Sequence, residues 1–122
     1  MIEIGDREGE GTTYGNLGSV FHSLSEYQSA KEYHEKALAI AIEAGDKRGE
    51  GTGYGNLGAV FDSRGEYQKA KEYYENALAI AIEIGDRRGE GRMNKNLGAV
   101  FHSLDKYQKA KEYHEKALAI AI

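Results

Sequence analysis

Apolar side chains recur along this chain at helical spacing. Tyr14, Leu17, Gly18 and Phe21 fall at i, i+3, i+4 and i+7, one stripe of a 3.6-residue period. After a short polar break the stripe resumes through Tyr27, Ala30, His34, Ala37, Leu38 and Ala41. The breaks Ser23-Leu24-Ser25, Ser63-Arg64-Gly65 and Ser103-Leu104-Asp105 suit tight antiparallel turns between two helices. Ala-Leu-Ala-Ile-Ala-Ile also alternates with period two, the mark of a buried strand. It nevertheless extends the stripe from Ala30, is rich in alanine and follows no turn signal, so it is read as helix.

The same pattern returns every 40 residues. Units 5–44, 45–84 and 85–122 each open on Gly-Asp, and the first two agree at 29 of 40 positions, too many for chance. A unit of two helices cannot enclose its own apolar face, so stacking on its neighbours must supply the core. The sequence therefore predicts an all-α chain, a solenoid of three helix-turn-helix units in a single array over 1–122. Gly45 and Gly85 are expected to end the second helices in the left-handed conformation, and Asp46 and Asp86 to cap the helices that follow. Ser25 with Gln28, and Asp105 with Gln108, have capping-box spacing and place second-helix starts there. Glu32 with Lys36 and Glu112 with Lys116 are expected i,i+4 pairs on the exposed face. Gly9, Gly11, Gly15 and Gly18 each cost roughly 1 kcal/mol against alanine inside a helix, so the first helices must depend on packing.

Composition narrows the function classes. With no cysteine, disulfides, thiolate zinc sites and cysteine nucleophiles are excluded. Sixteen Lys+Arg against 20 Asp+Glu give a net charge of −4, the wrong sign for a generic nucleic-acid binder. The longest apolar run, Ala37 to Ile42, is six residues, against the roughly 20 a membrane helix needs. The expected setting is cytoplasmic, with neither nucleic acid nor membrane as partner.

The residues at fixed repeat positions resemble the tetratricopeptide repeat family. Its pattern of aromatic-x2-Leu-Gly-x2-aromatic and then Ala-x3-aromatic appears as Tyr14, Leu17, Gly18, Phe21, Ala30 and His34. Unit two has Tyr54, Leu57, Gly58, Phe61, Ala70 and Tyr74, and unit three Leu97, Gly98, Phe101, Ala110 and His114, with Asn94 in place of the first aromatic. The usual repeat has about 34 residues. The longer unit here, with its Gly-Glu-Gly and Asn-Leu-Gly, is similar to repeats of the G-protein-signalling modulators related to Partner of Inscuteable. The resemblance implies a right-handed superhelix whose first helices line a concave, peptide-holding groove. By position, that groove takes Thr12, Gly15, Asn16, Ser19 and His22 from unit one, and Arg48, Thr52, Gly55, Asn56, Ala59 and Asp62 from unit two. Unit three supplies Arg88, Arg92, Lys95, Asn96, Ala99 and His102. Helical spacing agrees, since these positions share a face about 100° from the apolar stripe.

Asn16, Asn56 and Asn96 recur once per unit on that face and could donate to and accept from an extended peptide backbone; alternatively each bonds within its own repeat. Arg88, Arg92 and Lys95 make unit three the basic end, suited to a carboxylate-rich or C-terminal segment, where the bland alternative is a solvated face. His22, Asp62 and His102 invite thought of a metal site. Equivalent atoms of stacked repeats lie roughly 10 Å apart whereas zinc takes ligands at about 2 Å, so no metal is expected. Gly53-x-Gly55-x-x-Gly58 matches the dinucleotide fingerprint in letters alone, since no strand precedes it. No cofactor and no catalytic residues are expected. His34 and His114, like Tyr74, are read as core or interface groups.

Residues 1–4 duplicate the tail of a second helix, as though a preceding repeat had been cut, and residues 117–122 end without Gly-Asp. Leu118, Ile120 and Ile122 would then be open for self-association, stacking end to end or closing a two-fold dimer. The leading function is a non-catalytic protein-interaction scaffold binding an extended, acidic peptide in its groove. The alternative is a structural spacer or self-assembling array without a dedicated ligand.

Overall fold

The computed structural model describes residues 6–121; the expected remnant 1–4 and Ile122 lie outside the described residues. Six helices follow one another: α1 Arg7–Ser23, α2 Tyr27–Ala44, α3 Lys47–Ser63, α4 Tyr67–Glu83, α5 Arg87–Ser103 and α6 Tyr107–Ala121. Each packs on its neighbours in sequence, and described helices further apart, such as α1 and α3, touch at most marginally. This is a one-dimensional solenoid of three hairpins.

Glycine sets the hairpins' closeness. A Cβ placed on Gly18 would lie 2.7 Å from the His34 ring, and one on Gly58 2.7 Å from the Tyr74 ring. Beside this contact Phe21 stacks on Tyr33 and Phe61 on Tyr73, each with centroids 5.4 Å apart, and Phe101 on Tyr113 at 5.3 Å. Gly53 receives Leu38 from the preceding hairpin, so the fingerprint-like glycines are packing positions inside α3. One buried cluster lies between hairpins two and three, around Phe101, Leu97, Val100 and Tyr74, and Leu57, Val60 and His34 are fully enclosed outside it.

The turns hold a correction. Gly45 (φ 70°) and Gly85 (φ 71°) are left-handed as expected, and Asp46 N–H donates to Ala41 O at 2.9 Å to close the helix end. Asp46 and Asp86 accept from Gly49 and Gly89 N–H at 3.0 Å, whereas Asp6, with a different backbone, makes no such cap. Ser25 and Asp105, expected as N-caps, instead adopt φ 60° and 61°, the role Gly65 (φ 74°) fills in unit two. They terminate the preceding helix: Glu26 N–H donates to Phe21 O and Lys106 N–H to Phe101 O, both at 2.9 Å. With its backbone committed to that turn, the Asp105 carboxylate accepts from Tyr107 Oη at 2.8 Å rather than capping α6.

The expected surface pairs are also redistributed. Lys36 Nζ lies over the Tyr14 and Tyr33 rings at 5.4 and 5.3 Å, and Lys116 Nζ over Tyr113 at 4.7 Å. Glu32 accepts from Gln28 instead. The aromatic ladder offers each lysine a ring face and a sheltered stem, worth about 0.5–1 kcal/mol at an exposed site.

Candidate functional site

The first helices carry almost no bulk on one face. Gly11 and Gly15 of α1, and Gly51 and Gly55 of α3, leave the second helices visible beneath them. Two adjoining concavities result. The first, about 650 Å³, has Ala37, Ile40 and Ala41 of α2 as its floor. The second, about 530 Å³, has Ala77, Ile80 and Ala81 of α4, with Met93 at its far side. They share Arg48, Thr52 and Asn56 and so lie side by side along the first helices.

Most residues expected on this wall are there. Thr12, Gly15, Asn16 and Ser19 line the first concavity, and Gly55, Ala59, Arg92 and Asn96 the second. None of the three asparagine side chains hydrogen-bonds another described residue, so their amides remain available. Arg88, Arg92 and Lys95 are exposed and, among the described residues, in no ion pair. Arg48 is different: its guanidinium reaches Asp86 at 3.4 Å across the repeat junction. At equivalent positions the charge therefore runs Glu8, Arg48, Arg88, while Thr12 and Thr52 give way to Arg92 and Gly15 and Gly55 to Lys95. Of these, Glu8 lines the first concavity and Arg92 the second.

Six expected residues line neither concavity. His22, Asp62 and His102 line neither concavity; they stand in the last turns of the first helices and serve packing. His22 Nε2 meets Ser63 Oγ of the next unit at 2.8 Å, and the His22 and His102 rings set their edges against Tyr27 and Tyr107 at 5.5 and 5.3 Å. Asp62 Oδ2 accepts from Tyr74 Oη at 3.4 Å. Burial raises the Asp62 carboxyl above its ordinary range, opposed by that hydrogen bond. Burial first, then the Asp62 charge, raises the Tyr74 phenol. Arg88, Lys95 and Ala99 of α5 also line neither concavity. At the far end Leu118 is 63% exposed, but Ile120 turns inward, its Cγ2 being the atom a Cβ on Gly91 would meet at 3.1 Å. Ile40 and Ile80 occupy the same place against Gly11 and Gly51.

Ile40 and Ile80 are buried, in keeping with their place in the helical core stripe, and border the concavities from beneath, each against one glycine of the first helix, Gly11 and Gly51. His34 also borders the first concavity. It is buried against Gly18 with Nδ1 unpartnered, and burial, followed by the proximity of His22, lowers its pKa below the ordinary 6.5. The fold thus favours the neutral imidazole, so this contribution to stability is complete above pH 6.5 and is lost as pH falls from 6.5 toward the folded value. His34→Phe should flatten the acid side of the stability profile: between pH 7.5 and 5.5, parallel thermal melts should show a smaller fall in Tm for the variant. Equal slopes would place the acid sensitivity elsewhere.

Comparison with known proteins agrees with this architecture. Residues 49–122, and separately residues 11–44, match the tetratricopeptide repeat family. No curated protein matches the sequence. Among solved structures, the TPR domain of Arabidopsis FLU superposes with a TM-score of 0.88 at 22% identity, over 93% of this chain and 95% of that one. BtubC (BKLC) from P. vanneervenii gives 0.88 at 26% over 97% of this chain, and MamA 0.76 at 27% over 93%. The chain spans 50% of the former's length and 60% of the latter's. No described helix is long and apolar enough to cross a membrane. Repeats of this kind generally mediate protein–protein interaction and act as non-catalytic scaffolds. With the 40-residue period, the glycine-spaced hairpins and the two sequence matches in agreement, the chain belongs to the tetratricopeptide repeat family.

Proposed function

We propose that this chain is a scaffold that binds an extended peptide, acidic toward one end, in the concave groove. One observation carries the reading: two concavities that adjoin at Arg48, Thr52 and Asn56, bordered by three side-chain amides that bond no other described residue. An extended backbone exposes one donor and one acceptor per residue, and an amide can answer either. Arg92 on the second concavity, with the exposed Lys95 one turn further along α5, then chooses carboxylates at the third repeat.

Selection of a random dodecapeptide display library on this chain tests the proposal. Enriched peptides should carry Asp or Glu toward one end. They should lose at least tenfold in affinity on the triple variant Asn16→Ala, Asn56→Ala, Asn96→Ala, whose fold is checked by circular dichroism. Arg92→Ala with Lys95→Ala should weaken acidic peptides while sparing their glutamine analogues. Affinities unchanged in the asparagine variant would move binding off the groove and reject the reading.

A further inference from the structure

We infer that copies of this chain stack head to tail, the outer face of α6 in one copy docking on α1 of the next as α2 docks on α3. The inference does not depend on what the groove holds. Both halves of such a contact are present at the two ends of one array. Leu17 and Val20 of α1 are exposed, where Leu57, Val60, Leu97 and Val100 at the same places are wholly buried. On α6, Leu118 and Ala121 are exposed, where Leu38 and Leu78 are half-buried and Ala41 and Ala81 buried. Leu38 shows what this face does when paired, since a Cβ on Gly53 of the next hairpin would meet its Cβ at 3.0 Å. Thr13 holds the place of Gly53 on α1 and is exposed. Its hydroxyl donates to Gly9 O at 3.0 Å, so covering it with Leu118 leaves no donor unpaired.

Polar contacts select a second copy of this chain over any other apolar partner. Within the array, Arg48 reaches Asp86 at 3.4 Å across one junction, and His22 Nε2 meets Ser63 Oγ at 2.8 Å across another. One period further on, the same groups recur without those partners. Arg88 is exposed and, among the described residues, in no ion pair. His102 sets its ring edge on Tyr107 as His22 does on Tyr27, but bonds no other described residue. The matching partners recur at the opposite end: Asp6, whose carboxylate caps no helix, and Ser23, both exposed. Continuing the 40-residue period into a second copy sets its Asp6 against Arg88, its Ser23 against His102 and its Thr13 against Leu118. One register satisfies all three pairs.

The same stacking completes a third concavity. Each existing concavity has a near wall on one first helix and a far wall on the next: Gly15 and Ser19 face Gly49 and Gly53, then Gly55 and Ala59 face Gly89 and Met93. Lys95 and Ala99 hold the near-wall places of a third. Its far wall, Gly9 and Thr13, comes from α1 of the second copy. Because the contact joins two different faces, every assembly keeps one of each free and grows instead of stopping at two.

Sedimentation velocity of this chain over a hundredfold range of concentration tests the contact. The parent should grow past the dimer as concentration rises. Val20→Lys disables the α1 face and Leu118→Glu the α6 face, and both side chains are exposed, so circular dichroism should show the parent's helix content in each. Either variant alone should sediment as a monomer where the parent is assembled. Mixed in equal amounts they should form a one-to-one dimer that grows no further, because the intact α6 of Val20→Lys docks on the intact α1 of Leu118→Glu. Formation of that dimer also shows that both variants are folded. Arg88→Glu should weaken assembly about fivefold, and adding Asp6→Arg should restore it with the ion pair reversed. A parent that stays monomeric at every concentration would overturn the inference. Assembly abolished by Leu118→Glu but untouched by Val20→Lys would overturn it in favour of a two-fold contact between α6 helices. Failure of Asp6→Arg to rescue Arg88→Glu would overturn the register and the third concavity with it.

Discussion

Gly58→Ala is expected to destabilise this protein by about 2 kcal/mol, although helix propensity alone predicts a gain of about 1 kcal/mol. The added methyl would sit 2.7 Å from Tyr74 Cδ1 and Cε1 and 3.2 Å from Cγ, so it meets the flat of the ring rather than a flexible tip. That ring cannot swing away. It is 3% exposed, and its hydroxyl is tethered to Asp62. Forcing a methyl into such a contact costs about 1–3 kcal/mol, and a fixed ring takes it to the upper part of that range. Gly15→Ala provides the opposite sign, because its Cβ would make only an ordinary contact with Ala37 at 3.9 Å and should recover most of the propensity gain. Urea unfolding of the two variants beside the parent checks both. A Gly58→Ala midpoint at or above the parent's would mean that the hairpins have room to spare, contrary to the 2.7 Å approach of the Tyr74 ring.

That pair of glycines also shows how far the sequence could be read. Helices, repeat length and unit boundaries were legible because three copies repeat one period and because Gly45 and Gly85 stand where a left-handed residue is required. Ser25 and Asp105 misled for a physical reason. Serine and aspartate are favoured both as helix N-caps and, as short polar side chains, at turn positions. Their equivalent Gly65 was the clue that backbone conformation, not capping, governs the site. The groove wall was legible from α-helical spacing and resemblance together, but its floor was not. Whether the buried Ile40 also borders the groove depends on what stands above it, and only the fold shows that Gly11 stands there. His22, Asp62 and His102 share a helical face with the wall, yet they lie far enough along it to meet the turn instead. Asn94, noted as a departure from the aromatic pattern, is buried with Oδ1 unpartnered. Tyr14 and Tyr54 at the same place pair with Tyr33 and Tyr73.

The largest loss is expected from Leu57→Ala, about 3–4 kcal/mol, and it should differ sharply from that of the same substitution one repeat earlier. Leu17 and Leu57 hold identical positions in the 40-residue unit, with identical neighbours in Asn-Leu-Gly. Local sequence therefore predicts equal costs. Yet Leu57 is 0% exposed and Leu17 is 36% exposed, because α3 packs on α2 of the preceding hairpin while no helix precedes α1 among the described residues. Val60 and Val20 divide in the same way, at 0% and 54%. Truncating an enclosed leucine forfeits its transfer energy and leaves a cavity, together about 2–5 kcal/mol, whereas a partly exposed one loses about 1 kcal/mol of burial. Leu97→Ala, also at 0% exposure, should behave like Leu57→Ala. Equilibrium urea unfolding of the three single variants measures the differences. A Leu17→Ala loss as large as that of Leu57→Ala would require each hairpin to bury its leucine unaided. The core would then belong to the repeats rather than to the junctions between them, and neither the solenoid's dependence on stacking nor the continuity of the groove across those junctions could be maintained.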